Sequence, residues 1–292
     1  MKIVAVLCLL LAALPSLAQV SALPTPITTD PPEDKAAPAT MDQLLLPSHG
    51  SLLNGLIYEA EGIGPHPVVI LLHGFPGYEQ NLDLAQAIRR AGWDVVFFHY
   101  RGSWGSQGKF SFANSIEDTQ AAIDWVRDPK NTQKYRMDPA KIVLIGHSMG
   151  GFMASAGGAN DPRVMAVGML AAWNIGLDAR HSADHPDARK KMLAEQIQPL
   201  TGCTADSLFA EMTAHADDLD YNRFAPKLKD RPVLVISTND ALRPLNELFV
   251  ETMKKAGAQR IQYEHVSTDH GFNDHRITLE VLVLNWLEGL KK

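Results

Sequence analysis

From about Leu44 onward the chain alternates short apolar runs with stretches in which apolar residues recur every third or fourth position. The runs are Val68 to Leu72, Val95 to Phe98, Ile142 to Ile145, Val164 to Leu170, Val233 to Ile236 and Ile261 to Val266. Apart from Ile261 to Val266, which carries Gln262, Glu264 and His265, they are almost continuously apolar, as strands buried on both faces are. Between them lie the helical patterns Leu82 to Arg90, Ser115 to Val126, Leu245 to Ala256 and Ile277 to Leu287. Strand and helix in alternation predict a mostly parallel central sheet covered by helices on both faces. Asn54 to Glu61, with its polar alternation, predicts an extra strand before the parallel core.

Three segments depart from this rhythm. Residues 21 to 40 hold Pro24, Pro26, Pro31, Pro32 and Pro38 among Thr, Ala and acidic residues. No apolar period can repeat there, so a flexible leader is expected over 19–45, ahead of a domain over 46–292. Between Ala172 and Pro232 two helical patterns appear without a strand, which predicts a cap insertion over one end of the sheet, about 174–226. Met192, Leu193, Ile197 and Leu200 form one apolar stripe; Leu208, Phe209, Met212 and Leu219 form the other. Such stripes are expected to pack on the body.

The third segment is the start of the chain. Lys2 precedes an unbroken apolar run from Ile3 to Leu14, followed by Pro15, Ser16, Leu17 and Ala18. Small residues at the third and last positions before a cut define a signal peptide over 1–18, cleaved after Ala18, and a secreted or periplasmic protein. The apolar run is too short to cross a bilayer core, which needs about twenty helical residues, so no stable membrane span is expected after cleavage. Cys8 leaves with this segment and Cys203 remains alone, which excludes an intrachain disulfide. Cys203 is expected to be a small apolar filler in the cap.

Composition narrows the function further. With 27 Lys and Arg against 33 Asp and Glu, the net charge is −6 and the charges are scattered without long runs. Nucleic acid, which favours a basic face, is an unsuitable partner. Roughly neutral or uncharged substrates are the default expectation.

The chemistry begins at Lys141 to Gly151, an apolar strand entering Gly146-His147-Ser148-Met149-Gly150 and then a small-residue helix. Gly-x-Ser-x-Gly at a strand-to-helix turn lifts a serine hydroxyl above the sheet. Such a hydroxyl needs a base and an orienting carboxylate, both expected later in the chain with the acid first. Asp240 follows the strand Pro232 to Ser237, and His270 follows the strand Ile261 to Val266. Both therefore belong to the carboxyl edge of the sheet, as Ser148 does. Asp269 could replace Asp240 and His275 could replace His270. Upstream, His73-Gly74-Phe75-Pro76-Gly77 follows another strand, so the N–H groups of Phe75 and Met149 could converge on one oxygen as an oxyanion hole. His73 and His147 are expected to bond locally.

Together these residues resemble the α/β-hydrolase fold family, in its serine esterase, lipase and peptidase branch, from about residue 50 to the end. The resemblance implies Ser148 as nucleophile, His270 as base, Asp240 as its orienter and Phe75 and Met149 as oxyanion donors, with no cofactor and with a small-molecule ester or a short peptide as substrate. Tyr100 to Ser106 resembles the loop after the family's fourth strand, whose role is structural. Serine at position 148 excludes the branches that use aspartate there. The peptidases related to prolyl oligopeptidases commonly carry an aromatic residue where this chain has Met149, which tilts the reading toward esters. A peptidase or amidase on the same triad, and a non-catalytic binding protein, are the rival readings. Two further clusters invite a metal, Asp269-His270 with Asp274-His275 and the pair His181 and His185. Strand-end placement explains His270 without one, and Pro186 disfavours helical geometry at His185.

Overall fold

Strands that are apolar on both faces satisfy their backbone groups only between two neighbours, so they assemble edge to edge. The computed structural model describes residues 23–291. Its strands are β1 (Thr40–Ser48), β2 (Ser51–Glu59), β3 (His66–Leu72), β4 (Asp94–Phe98), β5 (Met137–His147), β6 (Ala166–Leu170), β7 (Val233–Ser237) and β8 (Ile261–His265). They form one sheet in the order β1, β2, β4, β3, β5, β6, β7, β8. β1 and β2 pair antiparallel with each other, and β2 does so with β4; β3 to β8 run parallel. This is the mostly parallel, helix-covered sheet that the pattern predicts.

Alternate residues of each strand face opposite layers. Ile70, Leu144, Val167 and Val235 meet one core, with Ile123, Phe152 and Phe249 from the helices Phe112–Arg127, Met149–Asn160 and Arg243–Lys255. Val69, Val95, Ile145 and Ile236 meet the other, closed by the helices Leu82–Arg90 and Arg276–Leu290. Among the described residues no helix is long and apolar enough to cross a membrane.

The expected leader over 19–45 is corrected by β1, which begins at Thr40. Leu44 and Leu46 are buried while Met41 and Leu45 stay exposed, and this half-buried period-two pattern lies just past the last proline of the cluster, Pro38. Upstream, Pro24 to Ala39 is tied to the body: Arg90 Nε donates to Pro26 O at 2.5 Å, and Glu61 accepts from the amides of Asp34 and Ala39. The expected signal peptide, with its cleavage site and Cys8, lies outside the described residues.

Between β6 and β7 the chain forms the helices Ile175–His181, Pro186–Gln196 and Ala205–Ala214, then short turns at Tyr221–Phe224 and Ala225–Leu228. The segment is stitched to the loop after β4. Thr201 N donates to Gly102 O at 2.7 Å, Phe110 N to Thr201 O at 2.9 Å and Trp104 N to Pro199 O at 3.0 Å. Leu193, Leu200, Leu208 and Met212 are buried, as the stripes predict.

Asp94, at the start of β4, is fully buried; its Oδ1 accepts from Ala60 N at 2.8 Å and its Oδ2 has no partner. Burial pushes its carboxyl up to about 8, against the Ala60 N–H and with Glu59 adding to the rise. The folded state therefore holds a proton that the unfolded chain releases near the ordinary carboxylate value of about 3.9. Stability should fall between these two values as pH rises, by at most about 1.4 kcal/mol per pH unit, and the slope should end near the folded value. Urea unfolding of wild type and Asp94→Asn across that window checks this: the variant should lose the Asp94 part of the slope, and parallel curves would refute it.

Candidate active site

β5 ends at His147 and the next helix begins at Met149, so Ser148 alone makes the turn, at φ 57° and ψ −119°. That backbone is strained for a residue with a side chain and persists only where its surroundings enforce it. The enforcement is close packing. A Cβ at Gly146 would lie 1.9 Å from Gly150 O, and one at Gly150 would lie 2.0 Å from Leu72 O. Ser148 N donates to Leu170 O at 2.8 Å, and Ser148 O accepts from Trp173 N at 2.9 Å. The serine is thus pinned from both sides.

Asp240 lies beyond the end of β7 and His270 beyond the end of β8, and the structure brings them together. His270 Nδ1 donates to Asp240 Oδ2 at 2.6 Å. Thr238 Oγ1 donates to the same oxygen at 2.8 Å, and Leu242 N donates to Oδ1 at 2.9 Å. Burial raises the Asp240 carboxyl, but the bonds from His270, Thr238 and Leu242 outweigh it and hold the group below its ordinary range. An ionised Asp240 fixes the proton on Nδ1 and leaves Nε2 of the neutral ring as an acceptor. His147 Nε2 donates to His270 O at 2.8 Å and steadies the loop. Ser148, Asp240 and His270 line one cavity. Among the described residues no hydrogen bond joins Ser148 Oγ to His270, a contact that often tightens only around substrate.

The loop after β3 lies against the serine: a Cβ on Gly74 would come within 2.9 Å of Ser148 Cβ. Among the described residues, the amides of Phe75 and Met149 donate to no protein acceptor, and Met149 N stands at the positive end of its helix. The loop is held by Trp104 Nε1, which donates to Pro76 O at 2.7 Å, and by His73 Nδ1, which donates to Gly74 O at 2.7 Å. Burial, with His99 nearby, pulls His73 down to about 3; burial, with His270 nearby, does the same to His147. Both are neutral scaffold imidazoles.

The shared cavity encloses about 630 Å³, walled by Phe75, Trp173, Met192, Leu242 and Leu245 among others. A smaller space of about 310 Å³ adjoins it on the Gly74 to Glu79 loop, and Phe75, Ser148, Gln196 and His270 border both. Sequence reasoning missed Trp173, Asp178, His181, Arg189, Met192 and Gln196 as wall residues, because periodicity reports which face of a helix is apolar and not what lies opposite it. His181 borders the cavity, whereas His185 is the residue before the helix Pro186–Gln196. Asp269 accepts from Asn273, Asp274 from Thr268, and His275 pairs with Asp274. Neither Asp269 nor His275 substitutes for the observed pair. Among the described residues no cluster of three or more His, Cys, Asp or Glu is arranged to hold a metal.

A family model described as "Alpha/beta hydrolase family" matches residues 69–278. Among curated proteins the chain is similar to a lysophosphatidylserine lipase of Danio rerio, 30% identical over 96 residues, which are 32% of this chain and 23% of that one. The chain's matches span less than half the length of the curated relatives. Among solved structures, a fungal esterase from Rhizomucor miehei superposes with a TM-score of 0.65 at 18% identity, covering 87% of this chain and 85% of that one. The carboxylesterase EstE1, cloned from a metagenomic library, gives 0.64 at 18% identity, covering 88% and 91%. At that identity the likeness is one of fold.

Gly150→Ala should break the turn, since its Cβ would collide with the backbone of β3 and not with a yielding side chain. Forced overpacking costs about 1–3 kcal/mol and sometimes more. Denaturant unfolding should show a loss at the upper end of that range or beyond, and an unchanged midpoint would contradict the packing described.

Proposed function

The chain belongs to the alpha/beta hydrolase family, and from that premise we propose that it is an exported serine hydrolase that cleaves carboxylic esters through an acyl-serine intermediate. The observation that carries the reading is the His270–Asp240 bond at 2.6 Å in the wall of the cavity that Ser148 lines. In the first half-reaction His270 Nε2 takes the Ser148 proton as Oγ attacks the ester carbonyl, and then hands it to the departing alcohol. In the second, His270 takes a proton from water as the water oxygen attacks the acyl carbon, then returns it to Ser148 Oγ as the acyl–serine bond breaks and the acid leaves. Asp240 fixes the ring tautomer and favours the imidazolium that forms transiently.

The amides of Phe75 and Met149 supply the charge stabilisation. Preorganised donors of this kind contribute about 3–4 kcal/mol each to lowering the barrier. Esters rank above amides because Met149 stands where the related peptidases commonly carry an aromatic residue, and because the chain is similar to a lipase over 96 residues. Export is supported by the apolar run Ile3 to Leu14 and the small residues before Gln19.

A fluorophosphonate probe should label Ser148 in the folded protein, and Ser148→Ala should abolish labelling and turnover. Asp240→Asn should leave the fold intact and lower kcat by about ten-thousand-fold, because the histidine loses its tautomer and its countercharge. Chromogenic acyl esters should be hydrolysed faster than anilides of matched acyl groups. A reversed order would assign the triad to peptides, and an unlabelled serine would leave a binding protein. Mass determination of the exported protein should give Gln19 as its first residue.

A further inference from the structure

The cap places in this cavity a cation that acyl transfer does not require. Arg189, on the helix Pro186–Gln196, lines the cavity together with Ser148 and His270, yet its side chain is only 13% exposed. Its guanidinium carbon stands 5.1 Å from the centroid of the Trp173 ring. It pairs with Asp178 of the helix Ile175–His181. That pair does not use up its donors. Nη1 meets the Met192 sulfur at 3.1 Å, a weak acceptor, and Nε is buried without any partner.

Asp178, by contrast, is fully engaged. Beyond Arg189 it accepts from Trp173 Nε1 at 2.5 Å and from Ser182 Oγ at 3.1 Å. The guanidinium therefore keeps in Nη1 a donor whose partner is a thioether sulfur, and a ligand oxygen in the cavity would be a better acceptor for it. Burial pulls the guanidinium down to about 10, which still leaves it charged at neutral pH. Of the carboxylates in the wall, Asp240 is committed to His270, and Asp178 to Arg189, Trp173 and Ser182. A planar fork of N–H groups backed by an aromatic ring is the geometry that recognises a carboxylate.

Resting on the ester-hydrolase reading of this same site, we propose that Arg189 is a specificity-determining residue that receives a free carboxylate on the substrate. The preferred substrate is then an acidic ester, such as a half-ester of a dicarboxylic acid, whose scissile carbonyl reaches Ser148 while its carboxylate reaches the cap. Trp173 supports the guanidinium, and Asp178 orients it.

Para-nitrophenyl hemiglutarate and para-nitrophenyl valerate, matched in acyl length, test this on the mature wild-type protein. The half-ester should be preferred by about tenfold or more in kcat/KM, with the preference falling as salt is added. Arg189→Gln should collapse the ratio between the two substrates by a similar factor. Arg189→Lys should recover part of it, since it restores the charge without the fork. A wild-type preference for the valerate ester, or a ratio unmoved in Arg189→Gln, would overturn the assignment. If neither ester is cleaved, the hydrolase reading fails separately, and calorimetry with monomethyl glutarate on Ser148→Ala decides the subsite. Saturable binding that Arg189→Gln abolishes upholds it; no binding, or binding indifferent to Arg189, removes it.

Discussion

A single tight turn governs this molecule. Gly146 and Gly150 let the end of β5, the start of the following helix and the end of β3 approach more closely than side chains would allow, and Ser148 is left at φ 57° with nowhere to relax. Three consequences follow from that one constraint. The hydroxyl is presented at the carboxyl edge of the sheet, the Met149 amide is freed from helical bonding, and Ser148 O becomes the acceptor that fixes Trp173 at the entrance to the cap. Backbone strain of about 1–3 kcal/mol is tolerable here because two cores hold the sheet from either side.

Burial sorts the histidines around this turn into different roles. His73 and His147 are enclosed, pulled down to about 3 and used for their hydrogen bonds to backbone oxygens. His270 is partly open to solvent and has an ionised partner in Asp240. That combination suits an imidazole that exchanges protons, because burial disfavours the charged ring and an unpartnered ring has no fixed tautomer. The loop after β4 supports the frame from behind: Arg101 pairs with the buried Asp118 at 2.6 Å, and Tyr100 Oη donates to His73 O at 3.3 Å.

Most of the sheet was legible in the sequence because strands buried on both faces leave continuous apolar runs. Ser148, Asp240 and His270 were legible as residues that follow such runs. β1 was not, since Met41 and Leu45 face solvent and only Leu44 and Leu46 reach the core, so the segment reads as a continuation of the proline-rich stretch. The helix Ile175–His181 escaped for a related reason: it is a short piece whose buried positions include Gly176 and Ala179, and these carry no hydrophobic signal. The cavity walls were illegible in principle. Arg189 and Met192 look like the polar and apolar sides of an ordinary amphipathic helix until the cap is set on the sheet.

That last point separates two kinds of information in the chain. Ser148, Asp240 and His270 stand beyond strand ends, where the sheet itself fixes positions and few backbone solutions exist. Much of the cavity wall comes from the insertion between β6 and β7, whose position depends on contacts made far away in sequence. Chief among these are the bonds that Trp104 N and Phe110 N donate to Pro199 O and Thr201 O, the one that Gly102 O accepts from Thr201 N, and the carboxylate of Glu211, which receives the amides of Phe112 and Ala113. Because those contacts run to the loop after β4 and to the helix Phe112–Arg127, residues of the cap can change without disturbing the backbone turn at Ser148. The guanidinium of Arg189, buried beside Trp173, finds its countercharge in Asp178 of the neighbouring helix, so the cost of burying it is met by contacts within the cap and not by the turn at Ser148.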